Sequence, residues 1–194
     1  MTKSRVEAFS DGVLAIIITI MVLELRPPHG VALESLRPLV PVFLSYVLSF
    51  VYIGIYWNNH HHMLHAVHGV SGWVLWANLH LLFWLSLVPF ATAWVGEEPG
   101  ESWPAAVYGF VLLMASFAYP LLENALLALP GSDSTLSQAV GTRWKERISG
   151  LGYALGIGAA FLLPWLSYAL YVAVAALWFV PDRRIEAALT RSPP

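Results

Sequence analysis

The chain has 194 residues, of which 58% are hydrophobic and only 11% charged, and its mean hydropathy is +0.65. A soluble domain of this length does not carry several apolar stretches of about 20 residues, the length a helix needs to cross the hydrocarbon, so the composition is that of an integral membrane protein. A net charge of −2 without a basic patch argues against nucleic acid as a partner, and the lack of cysteine excludes disulfides, thiol catalysis and thiolate metal sites.

Apolar windows bounded by Pro, Gly and charged residues predict six spans, at about 5–25, 38–66, 71–95, 103–129, 146–163 and 164–181. The first stops at Arg26-Pro27-Pro28, where proline removes the donors a helix needs. No small-x-small cleavage site follows it, so it is expected to stay attached and not to act as a signal peptide. The second runs through Tyr56-Trp57 toward His65. The third ends in the acidic turn Gly96-Glu97-Glu98-Pro99-Gly100-Glu101, and the fourth is closed by Pro130-Gly131 before a polar loop over 131–141. The last apolar stretch is too long for one span, and Leu163-Pro164-Trp165 divides it. The whole chain reads as one all-α six-helix transmembrane domain without internal repeats.

An even number of spans puts both termini on one side, and Lys and Arg decide which. Lys3, Arg5, Arg143, Lys145, Arg147, Arg183, Arg184 and Arg191 fall on the terminal side, and only Arg26 and Arg37 lie opposite. Both termini are therefore expected in the cytoplasm. Trp73, Trp94, Trp103, Trp144 and Trp178 fall near span ends, where amphipathic rings favour the interface.

Inside the first span stands an aspartate, in R-V-E-A-F-S-D-G-V-L-A-I-I-I-T-I-M-V-L-E-L. At about 100° per residue, Arg5, Phe9, Gly12, Ile16, Ile20 and Leu23 lie within roughly 40° of one line, with Thr19 on its shoulder, while Ser10 and Asp11 point away from it. A carboxylate in a span costs at least about 2.5 kcal/mol on insertion scales, so the Asp11 face is expected to meet protein or water. The alkyl stripe is left for another surface: lipid, a subunit contact or a pore. Asp11 also has a simpler reading, as a snorkelling residue near the interface paired with Arg5 or a neighbour.

Trp57-Asn58-Asn59-His60-His61-His62, with His65 and His68 beyond, is the densest polar cluster, and Trp76, Asn78 and His80 are its companions in the third span. The alternating direction of the spans brings these groups and Asp11 to the same half of the membrane, where imidazole, amide and indole donors can satisfy a buried carboxylate. His61 with His65, and His65 with His68, could share a helix face as metal ligands. Asp11 or Glu7 would have to complete such a site, and hydrogen bonding within the bundle is the simpler account. Glu123 is a candidate transport carboxylate or an interfacial charge. Gly150, Gly152, Gly156 and Gly158 have the small-residue spacing that favours close helix packing.

Arg5-x-x-x-Phe9-Ser10-Asp11, followed by the Ile-rich run, resembles the first-helix signature of the transmembrane protein 175 family, potassium channels of endosomes and lysosomes with prokaryotic relatives. Tyr56-Trp57 with its histidines, Trp76-Ala77-Asn78-Leu79 and Leu87-Val88-Pro89-Phe90 are also similar. The resemblance implies a six-helix subunit that, carrying a single motif, assembles as a homotetramer with first helices around a central pore. It implies a constriction at Ile16, Ile20 and Leu23, with Thr19 as a polar ring among them. Arg5, Phe9, Ser10 and Asp11 would hold the helix against the second and third, with Trp57, His61, His65, Trp76, Asn78 and His80 as the partner network. The expected function is a weakly selective, potassium-permeable cation channel of a prokaryotic cytoplasmic membrane, with potassium as the permeant ion and no cofactor or resident metal. Two rivals stand beside it: a proton-linked transporter or proton channel using Asp11, His61, His65, His80 or Glu123 as relays, and an intramembrane metal-dependent enzyme built on the histidines.

Overall fold

A computed structural model describes residues 2–67, 69–129 and 143–179. Among these the chain is all-α: α1 (Lys3–Leu23), a 3₁₀ segment (Leu33–Leu39), α2 (Val40–His65), α3 (Gly72–Ser86), α4 (Val88–Glu97), α5 (Ser102–Leu127), α6 (Trp144–Ala160) and α7 (Pro164–Phe179). Taken with α3 and α4 as one broken span, these are the six expected crossings. His68, Pro130, the polar loop 131–141, the last residues of the sixth span and Arg183, Arg184 and Arg191 lie outside the described residues.

Two departures from the sequence reading have backbone causes. The third span is not one continuous helix but breaks at Leu87. Pro89 has no N–H for the carbonyl of Leu85, and its ring crowds that carbonyl, so α4 restarts with the proline in its first turn. Between the first and second spans, where the sequence reading assigns no element, the chain also forms a seven-residue 3₁₀ segment. Gly30, at φ +136°, turns the chain into it, and a Cβ there would come within 2.7 Å of Ser35 Oγ. The other boundaries follow the expected signals. Ser71 caps α3 by accepting a hydrogen bond from the Val74 N–H at 3.3 Å, and Pro164 opens α7.

The Lys3 ammonium donates to the His65 carbonyl at 3.3 Å, which sets the start of α1 beside the end of α2 and fixes the two as antiparallel. α1 packs on α2, α3 and α4, while α5, α6 and α7 form the far side of the bundle against α2, α3 and α4. Tyr171 ties that side together. Its hydroxyl donates to the Ala105 carbonyl at 3.1 Å, and its own carbonyl accepts from the Tyr52 hydroxyl at 2.6 Å, so one residue of α7 is bonded to both α5 and α2. The ring is fully buried because Gly109 on α5 and Gly156 on α6 leave it space. Gly152 admits Val174 in the same way, as the glycine spacing predicts, whereas Gly158 faces open space.

A β-carbon at Gly156 would overlap the Tyr171 ring, so Gly156→Ala should cost about 1–3 kcal/mol through overpacking. Gly158→Ala should cost nothing. Thermal unfolding of the detergent-solubilised protein checks the pair: only the first substitution lowers the midpoint.

The first helix and its polar anchor as the candidate functional site

The core-facing line of α1 is Val6, Ser10, Leu14, Ile17 and Met21, a repeat of three and four residues that one side of a helix requires. Ser10 is the polar member of that line and is 0% exposed. Its hydroxyl accepts from Asn78 Nδ2 at 3.0 Å, with a longer contact of 3.4 Å to Asn78 Oδ1. Asn78 lies on α3, and its Oδ1 is also 2.7 Å from His60 Nε2 on α2. An amide oxygen only accepts, so Nε2 carries the proton and donates. A single carboxamide thus joins the three helices that meet at the start of the chain.

Asp11 is about 100° further round the helix than Ser10, which places it at the edge of this buried line and not within it. It is exposed in the single chain, and Oδ1 accepts a hydrogen bond from the Trp57 indole N–H at 3.0 Å. Arg5 and Phe9 lie on the exposed side of α1. Ser10 and Asp11 are therefore the motif residues that meet the neighbouring helices directly.

The expected partners separate into three groups. Asn78 and Trp57 bind the first helix. His61 and His65 stack in sequence on Trp57, with ring centroids 6.3 Å and 5.9 Å apart, and form an exposed aromatic column beside Asp11 without a bond to it. His80 instead accepts from the Trp84 indole one turn along its own helix at 3.0 Å, and Trp76 is exposed.

His60 is the partner of Asn78 that residue type alone passes over among its neighbouring histidines. The signal was in the phase: Ser49, Tyr52, Ile53, Tyr56, His60, Met63 and Leu64 are the buried face of α2, and His60 keeps that register. Trp57, His61 and His65 run at i, i+4 and i+8 along a different face.

Among the described residues, no three of His, Asp and Glu are grouped as metal ligands. Glu123 is 6% exposed and pairs with Arg143 at 3.2 Å across the α5–α6 junction. Arg143 also donates to Asn124 and approaches Glu146 to 4.0 Å, so this carboxylate belongs to a clamp between two helix ends.

Opposite the anchor, α1 presents Ile16, Ile20 and Leu23 at 58%, 42% and 77% exposure, with Thr19 also exposed. The Thr19 hydroxyl donates to the Ile16 carbonyl at 2.8 Å, which leaves its oxygen lone pairs turned outward from the helix. No side chain lies within 4 Å of where a Cβ at Gly12 would stand. One helix thus carries a polar-anchored face and a bare alkyl face, in a chain that is an integral membrane bundle.

Residues 5–89 match the family described as the endosomal/lysosomal potassium channel TMEM175. A protein of Chryseobacterium sp. (strain P1-3) named as a potassium channel is 53% identical over 189 residues, covering 97% of this chain and 98% of that protein. Another, from Streptomyces collinus, is 34% identical over 203 residues, covering 96% and 97%. The crystal structure of a lysosomal potassium-selective channel TMEM175 homologue from Chamaesiphon minutus superposes with a TM-score of 0.75 at 27% identity, over 92% of this chain and 96% of that one. The chain belongs to the TMEM175 family, a channel family and not a family of enzymes.

Removing the Asn78 side chain leaves both Ser10 and His60 without their buried partner. Asn78→Ala should cost about 2–3 kcal/mol, and Ser10→Ala, which breaks one link, nearer about 1 kcal/mol. Thermal unfolding monitored by circular dichroism in detergent should rank wild type above Ser10→Ala and that above Asn78→Ala.

Proposed function

We propose that this chain forms a potassium-permeable, weakly selective cation channel, assembled as a homotetramer with α1 of each copy around a central pore. The observation that carries the reading is the exposure of Ile16, Ile20 and Leu23 on the helix face turned away from the Ser10–Asn78–His60 anchor. The relatives named as potassium channels over nearly their full length support the ion, and the potassium-selective Chamaesiphon homologue supports the architecture. The basic residues at the N-terminus, after α5 and in the C-terminal tail support a cell-membrane location with both termini in the cytoplasm.

The mechanism follows from the chemistry of an alkyl constriction. From Ile16 to Leu23 the helix rises about 10 Å, and over that length the wall offers a cation no side-chain ligands except the Thr19 ring. With its proton committed to the Ile16 carbonyl, the Thr19 oxygen faces a passing cation with lone pairs. An ion must shed part of its water to pass, and potassium sheds water at lower cost than sodium. Potassium therefore passes more readily, with less discrimination than a filter of carbonyls, and the same alkyl rings can close the path by dewetting. No cofactor takes part.

A relay of Asp11, His61, His65, His80 or Glu123 has less support, because Asp11, His80 and Glu123 are each engaged with a different group, Trp57, Trp84 and Arg143, and His61 and His65 stack on Trp57. Such a relay would make flux saturable and coupled to a pH gradient, with loss on neutralising these residues.

Proteoliposomes loaded with potassium, sodium or caesium test the proposal. Wild type should release potassium faster than sodium. Ile16→Asn should raise flux severalfold and reduce the ratio between the two ions, and Ile20→Ala should raise flux by widening the ring. No potassium flux under any condition, or rates and ratios unchanged in both variants, would contradict the assignment.

A further inference from the structure

The 3₁₀ segment does more than connect two spans. Together with the end of α1 and the first turns of α2 it borders an open groove of about 300 Å³, lined by Leu25, Leu36, Leu39, Val40, Val42 and Phe43, with Arg26 as its one charged residue. Apart from that residue the lining is alkyl and aromatic. An open groove with this lining offers water few partners and suits an apolar chain.

Arg26 is the residue the apolar lining does not account for. It follows the last turn of a membrane span, the depth at which arginine side chains reach lipid headgroups. Among the described residues its guanidinium makes no hydrogen bond or ion pair. Arg26 is exposed at the rim, so an anion standing there can reach its guanidinium. Phosphate accepts the two parallel bonds that guanidinium offers.

We infer that this groove is a phospholipid site, with an acyl chain lying among Leu25, Leu36, Leu39, Val40, Val42 and Phe43 and the phosphate held by Arg26. One molecule then supplies both chemistries the site presents, an apolar chain for the groove and an anion for its rim. The fold positions the site: Gly30 turns the chain into the 3₁₀ segment, whose Leu36 and Leu39 line one side of the groove. Its position also ties the lipid to the end of α1 that carries Leu23, within three residues of Leu25 and Arg26. Lipid binding is independent of whether the assembly conducts.

A neighbouring copy of the chain is the competing occupant. The acidic turn with Glu97, Glu98 and Glu101 could approach Arg26 across a subunit contact, and the test separates the two. The intact assembly, extracted from membranes in mild detergent, is weighed by native mass spectrometry as wild type, Leu39→Trp, Leu36→Trp and Arg26→Gln. Wild type should retain one tightly held phospholipid per chain. The two tryptophan variants, which fill the groove from different positions, should lose it while the assembly stays intact.

After delipidation, phosphatidylglycerol and the corresponding diacylglycerol are added back. Arg26→Gln should lower the preference for the phospholipid by at least about tenfold while leaving diacylglycerol binding in place. Either of two results overturns the inference. One is an unchanged lipid count in whichever tryptophan variant folds. The other is dissociation of the assembly without lipid loss, which would give the groove to a second copy. An unchanged headgroup preference in Arg26→Gln would overturn the role given to Arg26.

Discussion

The carboxamide of Asn78 lies where α1, α2 and α3 converge, donating a hydrogen bond from Nδ2 to Ser10 and accepting one from His60 at Oδ1. In a membrane the hydrophobic effect does not distinguish one alkyl face of a helix from another, since lipid tails are as apolar as leucine. The rotation of α1 about its own axis must therefore be set by something directional. A hydroxyl that finds its amide in only one orientation fixes that rotation, and the Trp57–Asp11 bond at the edge of the same face reinforces it. Once Ser10 faces inward, helix geometry alone sends Ile16, Ile20 and Leu23 outward. In the proposed channel the polar motif would thus act on the ion path at a distance, by orienting the residues assigned to it.

The remainder of the bundle supports this arrangement. The Ser49 hydroxyl lies 2.6 Å from Thr92 Oγ1 and 2.9 Å from the Tyr108 hydroxyl, linking α2 to α4 and α5. Tyr171 links α7 to both α5 and α2 through two further bonds. These hydroxyl and carbonyl pairs make a rigid frame behind α1, and the glycines of α5 and α6 let the frame close at backbone distance. A stiff frame would serve the proposed constriction of alkyl rings, because small changes in ring radius alter how much water an ion must lose.

The parts of this design that repeat along the chain are legible in the sequence. The helices and the two faces of α1 follow from hydropathy and the 3.6-residue period. Asp11 and Asn78 follow from the cost of an unpaired polar group. What the sequence conceals is which of several equivalent side chains is used. Five histidines fall within residues 60–68, and residue type does not separate His60, inside the core, from His61 and His65 on the surface; only the phase of the buried face does. The break at Leu87 was visible as Pro89, yet an apolar run that continues on both sides of a proline reads as one span. The clamp of Glu123 by Arg143 joins residues 20 positions apart in the sequence, a contact that no local pattern encodes.

The chain has no cysteine, so a single introduced thiol reports on one position without interference. Cysteine placed in turn at Ile20, on the bare face of α1, and at Ile17, on its buried face, can be treated with a water-soluble, positively charged thiol reagent while potassium flux is followed in proteoliposomes. The account predicts that flux through the Ile20→Cys protein is blocked and that flux through the Ile17→Cys protein is unaffected. Block at Ile17 with none at Ile20 would contradict it, and would mean that the anchored face of the first helix, and not the alkyl face, meets the ion.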